Sequence, residues 1–511
     1  MDDGFVLNDA EIAAVRASYR EKGKRVVLCH GVFDLLHLGH LRHLKAARRE
    51  GDILVVSITA DAFVRKGPDR PVFSEQLRAE MLAGLSVVDH VIISRSISAI
   101  DVIERLQPDV YVKGNEYQSE DGDVTQNISK ERTAVEAHGG RVVFTDDLTF
   151  SSSNLLNLNF DVFPPITRQY LIDLKKRFSS TEILDQMRRL KGMRVAVVGD
   201  AIIDRYTYCK ALGKSGKGSF ITVKHGYTVE YAGGAIAVAN HVAGFVDQVT
   251  LVTGIGDPAR GNNFEDFIRE KLSPNVTPQF CYLEDSPTLV KERFVESDMN
   301  KLFEVYFFED ELMRRYWDDQ AATQWLDRHL GEFDAVIVPD YGNGFITDGM
   351  VRVLCRRAPF LAVNTQLNGG NHGYHAITRY DCADFIAINE PELRLGCHDS
   401  RAPLESLAVD IARRLKTKCL TVTLGVNGAM TVTPDGAETI KVPALASKIV
   451  DRVGAGDAFL SLAAPCLAAG VDREIATFLG SVSAALDVQI VGTSEPVDPI
   501  SLAKYVISLM K

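Results

Sequence analysis

Two short stretches carry residue types at spacings that can do chemistry. The first is Cys29-His-Gly-Val-Phe-Asp-Leu-Leu-His-Leu-Gly-His40, in which His37 and His40 flank Leu38 and Gly39. It stands where an apolar run ends and a helical pattern begins, a place that offers unpaired backbone N–H groups and a positive dipole end to a phosphate. Two imidazoles there could hydrogen-bond a nucleoside triphosphate and stabilise charge building on its α-phosphoryl group, while Gly39 lets the ligand approach the backbone. Two unrelated capping histidines, or half of a metal site, are the alternatives. The second stretch is Asp451-Arg-Val-Gly-Ala-Gly-Asp-Ala-Phe459. Gly454, Ala455 and Gly456 can form a nest of N–H groups at a helix start, suited to a transferring phosphoryl, and Asp457 beside it is placed to take a proton from a hydroxyl. A glycine-rich turn with a capping Asp is the plain alternative.

The elements that must position these residues follow from the apolar pattern. Short apolar runs at 25–29, 53–58, 88–93 and 110–113 predict buried strands, separated by helical spacing at 41–50 and 75–85. That alternation predicts an α/β fold with a parallel sheet covered by helices, extending to about Phe144. Pro164 and Pro165 interrupt it, and 166–177 and 181–190 read as connecting helices, with Ser179 and Glu182 spaced as a capping box. A second α/β pattern starts at Met193, with strands expected at 194–198, 248–252, 335–339, 361–364, 385–388 and 419–423. The expected division is 1–160, a helical linker over 161–190, and 191–511.

The first stretch, read as G-x-F-D-x-x-H-x-G-H through Gly31, Phe33 and Asp34, resembles the cytidylyltransferase-like family of nucleotidyltransferases. Lys66-Gly-Pro-Asp-Arg-Pro71 is similar to its K-G-x-x-R-P loop, and Glu75-Gln-Leu-Arg78 to its E-x-x-R helix. Val112-Lys-Gly-Asn-Glu-Tyr117 resembles V-K-G-x-D-Y with Glu116 in place of Asp, and Phe150-Ser-Ser-Ser-Asn154 resembles S-T-T-N. The resemblance implies a Rossmann-like domain in which His37, His40 and Lys66 act electrostatically. Gly31, Phe33, Asp34, Gly39, Arg78, Lys113, Ser151, Ser152 and Ser153 would hold ATP or CTP with Mg²⁺ on the phosphates. A sugar or polyol phosphate would attack in line and pyrophosphate would leave.

The second stretch resembles the D-x-x-G-A-G-D-x-F of the ribokinase family, and other parts fall in family order. Val198-Gly-Asp-Ala-Ile-Ile-Asp-Arg205 is similar to its first-strand motif, whose second Asp, Asp204, would hold sugar hydroxyls together with Gly233, Gly234 and Arg293. Asn389-Glu-Pro-Glu392 resembles N-x-x-E, with Glu392 organising Mg²⁺ through water, although helix capping explains the same pair. Thr423, Gly425 and Gly428 belong to a T-x-G-x-x-G-A nucleotide loop that would serve with Asn389, Gly454, Ala455 and Gly456. Asp457 would be the catalytic base. In detail the chain resembles the bifunctional heptose-phosphate kinase/heptose-1-phosphate adenylyltransferase family with the domain order reversed. It departs from that family at Ala237, Asn343, Asn364 and Gln366, where an Asn, a Lys, an Asp and a Lys are expected. Lys291 or Arg293 are the candidates to compensate.

Composition sets the outer bounds. Acidic residues number 68 against 57 basic ones, so no general basic face for nucleic acid is expected. The eight cysteines form no C-x-x-C pair, which argues against a zinc ribbon or a disulfide framework. No apolar run is long enough for a membrane span, and the start of the chain has no signal-like apolar segment. The expectation is a cytoplasmic enzyme of nucleotide-sugar synthesis, a homodimer by resemblance, that phosphorylates a sugar or sugar phosphate and transfers a nucleotidyl group to one. The alternative is an active transferase joined to a non-catalytic, sugar-binding or dimerising kinase-like half.

Overall fold

The computed structural model describes residues 6–64, 70–115, 127–145, 163–260, 263–284, 286–308, 319–371, 373–446 and 449–511. The chain divides into two compact units, Met1–Pro164 with Ala503–Lys511, and Pro165–Leu502.

In the first unit, β1 (Val6–Leu7), β2 (Val26–Gly31), β3 (Ile53–Thr59), β4 (His90–Ser94), β5 (Val110–Gly114) and β6 (Arg141–Thr145) pair in the order β1-β4-β3-β2-β5-β6, every pair parallel. Successive residues of β2 alternate between two cores. Val26 and Leu28 pack with Ile12, Ile103 and Val135 on one face, and Val27 and Cys29 pack with Leu44, Ala79 and Leu82 on the other. A sheet buried on both faces reads as a continuous apolar run, which is why these strands are visible in the sequence. The chain steps from β2 towards β4 and then crosses back to β5, so the order reverses beside β2. A reversal of this kind opens a crevice at the strands' carboxyl ends.

In the second unit, β7 (Arg194–Lys214), β9 (Gln248–Gly256), β10 (Val276–Leu283), β13 (Ala335–Asp340), β14 (Leu361–Thr365), β15 (Phe385–Asn389) and β16 (Cys419–Thr423) form a parallel array ordered β10-β9-β7-β13-β14-β15-β16. Antiparallel β17 (Ala429–Val432) and β18 (Thr439–Val442) extend it. The order reverses between β9 and β13, on either side of β7. That strand is 21 residues long and outruns the main sheet. Its distal part pairs antiparallel with β8 (Ile221–Gly234) and parallel with β11 (Leu289–Val295), which pairs in turn with β12 (Lys301–Phe307). One strand therefore serves the main sheet and a side sheet.

The sequence reading of 161–190 as a linker is corrected here. Its helices, Pro165–Arg177 and Ser180–Arg188, belong to the second unit. Leu171, Leu174 and Ile183 are buried, Thr167 Oγ1 donates to Ala444 O at 3.3 Å, and Arg177 Nη2 donates to Glu474 Oε1 at 2.6 Å. An apolar stripe on a helix is satisfied by packing, which sequence spacing alone does not distinguish from a connector.

Candidate active sites

The first site is built at the carboxyl end of β2. His37 is the extended N-cap of helix Leu38–Arg48, and its Nδ1 accepts a hydrogen bond from Gly39 N at 3.1 Å. That bond leaves the ring proton on Nε2, which is buried without a protein partner. Burial holds the His37 imidazole below its ordinary pKa, so it is a neutral donor at pH 7. The His37 and His40 rings stack with centroids 3.9 Å apart, and Phe33 lies 5.4 Å from His40. Phe33 and Leu35 both adopt left-handed backbone, which folds the loop tightly ahead of the helix.

The remaining residues expected here divide by role. Asp34 is buried and accepts from Val72 N at 2.9 Å and Phe73 N at 3.2 Å, with Arg70 3.8 Å away, so it anchors the segment 70–73. Arg78 is wholly buried: Nε donates to Phe73 O at 2.9 Å, Nη1 to Val32 O at 2.6 Å, and Nη2 to Thr59 O at 2.9 Å and to Asp61. It braces the end of β3 and the chain at Val32 and Phe73 instead of reaching into the site. Lys113 Nζ lies 3.4 Å from Glu131 Oε2. Gly31 packs against Phe33, where a Cβ would come within 3.2 Å of the ring. Lys66, Ser151, Ser152 and Ser153 lie outside the described residues.

The second site gathers where β7 leaves the main sheet, around Asp200–Asp204, and at the carboxyl end of β13. Gly454, at φ 99°, caps helix Ala455–Ala468, and a Cβ there would come 2.9 Å from Asp487 Oδ2. A Cβ at Gly456 would face open space, as a ligand-facing position requires. Asp457 follows in the first turn. The residue keeps some solvent access, but its carboxyl is enclosed, and burial pushes it up to about 7; Tyr341 and Lys291 oppose the rise, and Asp204 and Glu392 add to it. The Tyr341 hydroxyl is buried and acts on that carboxyl. A carboxyl that titrates near neutrality at a helix N-terminus is suited to general-base work.

Asp204 and Arg293 meet as a buried ion pair. Arg293 Nε also donates to Glu304 Oε1 at 3.0 Å, and its guanidinium stands 5.5 Å over the Tyr206 ring. The Asp204 carboxylate lies so close to Gly233 that no Cβ fits, and a Cβ at Gly234 would come 2.5 Å from Asp200 O. Gly233 is therefore fixed by the Asp204 carboxylate, and Gly234 by the β7 backbone and Ile202. Asn389 and Glu392 close a capping box: Asn389 Oδ1 accepts from Glu392 N at 2.9 Å and Glu392 Oε2 from Asn389 N at 2.8 Å. Glu392 Oε1 accepts from Leu367 N at 3.1 Å, and burial pushes the carboxyl up to about 7. Thr423 ends β16, and Gly425 and Gly428 make the left-handed turn into β17.

At the departures, amides take up local bonds. Asn364 Nδ2 donates to Ala387 O at 2.7 Å, and Asn343 Oδ1 accepts from Asn368 Nδ2 at 3.4 Å. Asn368 and Asn371 both donate to Tyr341 O, at 2.7 and 2.8 Å. Asn371 also donates to Gln366 O at 3.0 Å, and Ala237 is buried within helix Ala235–Ala243. Below them Asp340 is held by Arg379 at 2.8 Å, Tyr380 at 2.8 Å and His375 at 3.1 Å. These bonds fix the loop that presents Tyr341.

Two features were not foreseen. The buried Asp451 carboxylate accepts from Tyr206 Oη at 2.8 Å, Lys301 Nζ at 3.1 Å, Gly492 N at 3.1 Å and Val453 N at 3.2 Å, tying the side sheet to the nest. Behind Gly454, the buried Asp487 lies 3.6 Å from His241 Nε2. Burial raises the Asp487 carboxyl well above its ordinary value and lowers the His241 imidazole to about 4, so each is pushed towards its neutral form. Nothing in residue spacing links positions so far apart in the chain.

Fold and geometry thus define two α/β nucleotide-type sites on one chain. Residues 193–500 match the pfkB family of carbohydrate kinases, and residues 28–190 match the cytidylyltransferase-like family. The chain belongs to the pfkB carbohydrate kinase family, with a cytidylyltransferase-like region ahead of the kinase part. Bifunctional protein HldE of Syntrophotalea carbinolica is 44% identical over 129 residues, 25% of this chain and 25% of that protein. HldE of Bradyrhizobium diazoefficiens is 43% identical over 159 residues, 30% of this chain and 31% of that protein. The match thus spans less than a third of these relatives' length. Among solved structures, phosphofructokinase-2 from Escherichia coli in complex with potassium is similar with a TM-score of 0.48 at 17% identity, covering 61% of this chain and 99% of that one.

Proposed function

We propose that the chain is a two-activity enzyme of nucleotide-sugar synthesis. The second unit phosphorylates a sugar or sugar phosphate, of heptose type by resemblance, from ATP. The first transfers a nucleotidyl group from ATP or CTP to a sugar phosphate and releases pyrophosphate. The observation that carries the kinase reading is Asp457, a carboxyl at about 7 in the first turn after a left-handed Gly454. The acceptor hydroxyl would lie between Asp457, which takes its proton, and a γ-phosphoryl group at the nest; Asp204 and Arg293 would hold the sugar. In the first unit the Nε2–H of His37 would donate to a phosphate oxygen, with His40 beside it.

Among the described residues no three His, Cys, Asp or Glu converge on a metal position. Mg²⁺ would therefore enter on the nucleotide phosphates, where it neutralises charge, and Glu392 would contact its water shell. A homodimer in the cytoplasm completes the reading; among the described residues no helix is long and apolar enough to cross a membrane. The neutral amides at 343, 364 and 366 favour the second reading, a kinase-like half that binds without catalysing. The decisive experiment incubates full-length protein with ATP or CTP and a panel of sugars and sugar phosphates, reading ADP and pyrophosphate separately. Sugar-dependent formation of both supports the proposal. Pyrophosphate alone selects the second reading, and neither product overturns both.

A further inference from the structure

Among the described residues Lys291 is a buried cation of the second site that forms no contact ion pair. It stands on β11 in register with Asp204 of β7, and alternation along the strand puts it on the same face as Arg293. The residue is 4% exposed. Its ammonium lies 5.3 Å from the centroid of the Tyr306 ring, and no described carboxylate forms an ion pair with it. The charged groups facing it are Asp204, Arg293, Asp200 and Glu304, and it acts in turn on Asp457. Asp204 and Glu304 pair with Arg293, and Asp200 Oδ1 accepts from Phe345 N at 3.2 Å. A buried ammonium without its own anion is costly, and burial drives its pKa down. Such a group is tolerated where a ligand supplies the missing charge.

We propose that Lys291 is an anion-binding residue of this site, holding a negatively charged oxygen of a bound substrate. Two sources fit the chemistry: the γ-phosphoryl group of ATP, drawn in by the nest beside Asp457, or an acid group on the acceptor. The inference rests on the kinase reading above and deepens it.

The test compares full-length wild type with Lys291→Met and Lys291→Arg in three measurements. These are unliganded thermal unfolding, calorimetric binding of ADP, of a non-hydrolysable ATP analogue with Mg²⁺ and of sugar acids and sugar phosphates, and ADP formation with neutral sugars, sugar acids and sugar phosphates. We expect Lys291→Met to raise the unliganded Tm, because a lone buried charge has gone, while kcat/KM falls about 100-fold and Lys291→Arg retains more activity. A γ-phosphoryl source weakens the ATP analogue by about tenfold relative to ADP; an acceptor source leaves both nucleotides alone and raises KM by about tenfold for acidic acceptors only. Unchanged binding and kinetics in Lys291→Met overturn the proposal. So does a fall in Tm that accounts for the loss, the mark of a structural lysine. If wild type forms no ADP with any acceptor the kinase reading fails, yet calorimetry still decides Lys291: a selective loss of the ATP analogue, or of sugar-acid or sugar-phosphate binding, in Lys291→Met supports it, and unchanged binding of all of these, or none in wild type, overturns it.

Discussion

Single residues carry the sharpest consequences. Asp457→Asn keeps shape and removes the base, so sugar-dependent ADP formation should fall about 10²–10⁴-fold while nucleotide affinity changes little, as single-turnover kinetics and calorimetry would read. The same change should stabilise the protein with a defined pH dependence. The folded carboxyl titrates at about 7 against an ordinary 3.8, so ionisation opposes folding increasingly as pH rises between those values. The Tm gain of Asp457→Asn should be absent near pH 4, grow to about pH 7 and then level off. A flat difference across that range would remove the case for a perturbed base. In the first unit, His40→Ala should cut pyrophosphate release by about 100-fold or more with the Tm unchanged. Undiminished release would remove the stacked pair from the chemistry. These positions were readable because each set of reactive groups is nearly contiguous in sequence. Arg78 was not: E-x-x-R gives its place on a helix, whereas its partners, Val32 O, Thr59 O and Phe73 O, come from the end of β3 and two separate loops.

At the scale of elements, Arg78 shows how one side chain sets loop geometry. Replacing it by Met leaves three buried carbonyls and Asp61 without their donor, and should cost about 3–5 kcal/mol in urea unfolding of the first unit. A cost below about 1 kcal/mol would make the brace dispensable. The strands covered on both faces and the Ser179 capping box, where Ser179 Oγ accepts from Glu182 N at 3.1 Å, follow directly from apolar runs and cap chemistry. The side sheet does not. Much of β8 and β12 is exposed and polar residues interrupt them, so neither makes an apolar run. β8 pairs with the far end of β7, where the apolar signal has already stopped, and β12 pairs with β11. The sequence therefore points to the acids and glycines of the second site but hides the sheet that delivers Lys291, Arg293 and Lys301 to it.

For the whole molecule, the packing of the two helices after Pro164 moves the boundary at which a kinase fragment can begin. A fragment starting at Ser179 loses the buried Leu171 and Leu174 and the Arg177–Glu474 pair; one starting at Phe163 keeps them. The shorter fragment should melt several degrees lower, about 2–4 °C for each kcal/mol lost, and equal Tm values would return those helices to the role of connectors. Within the second unit, Asp451 has a further consequence. Its two oxygens accept four hydrogen bonds, from Tyr206 and Lys301 on one side and from Val453 and Gly492 on the other. An acceptor filled in this way has no lone pair left, so the turn after Asp451, the proposed phosphate cradle, is held by the fold itself. Binding then asks little ordering of the protein: the nucleotide should dock quickly into a finished mould, with the entropy of shaping it already spent during folding.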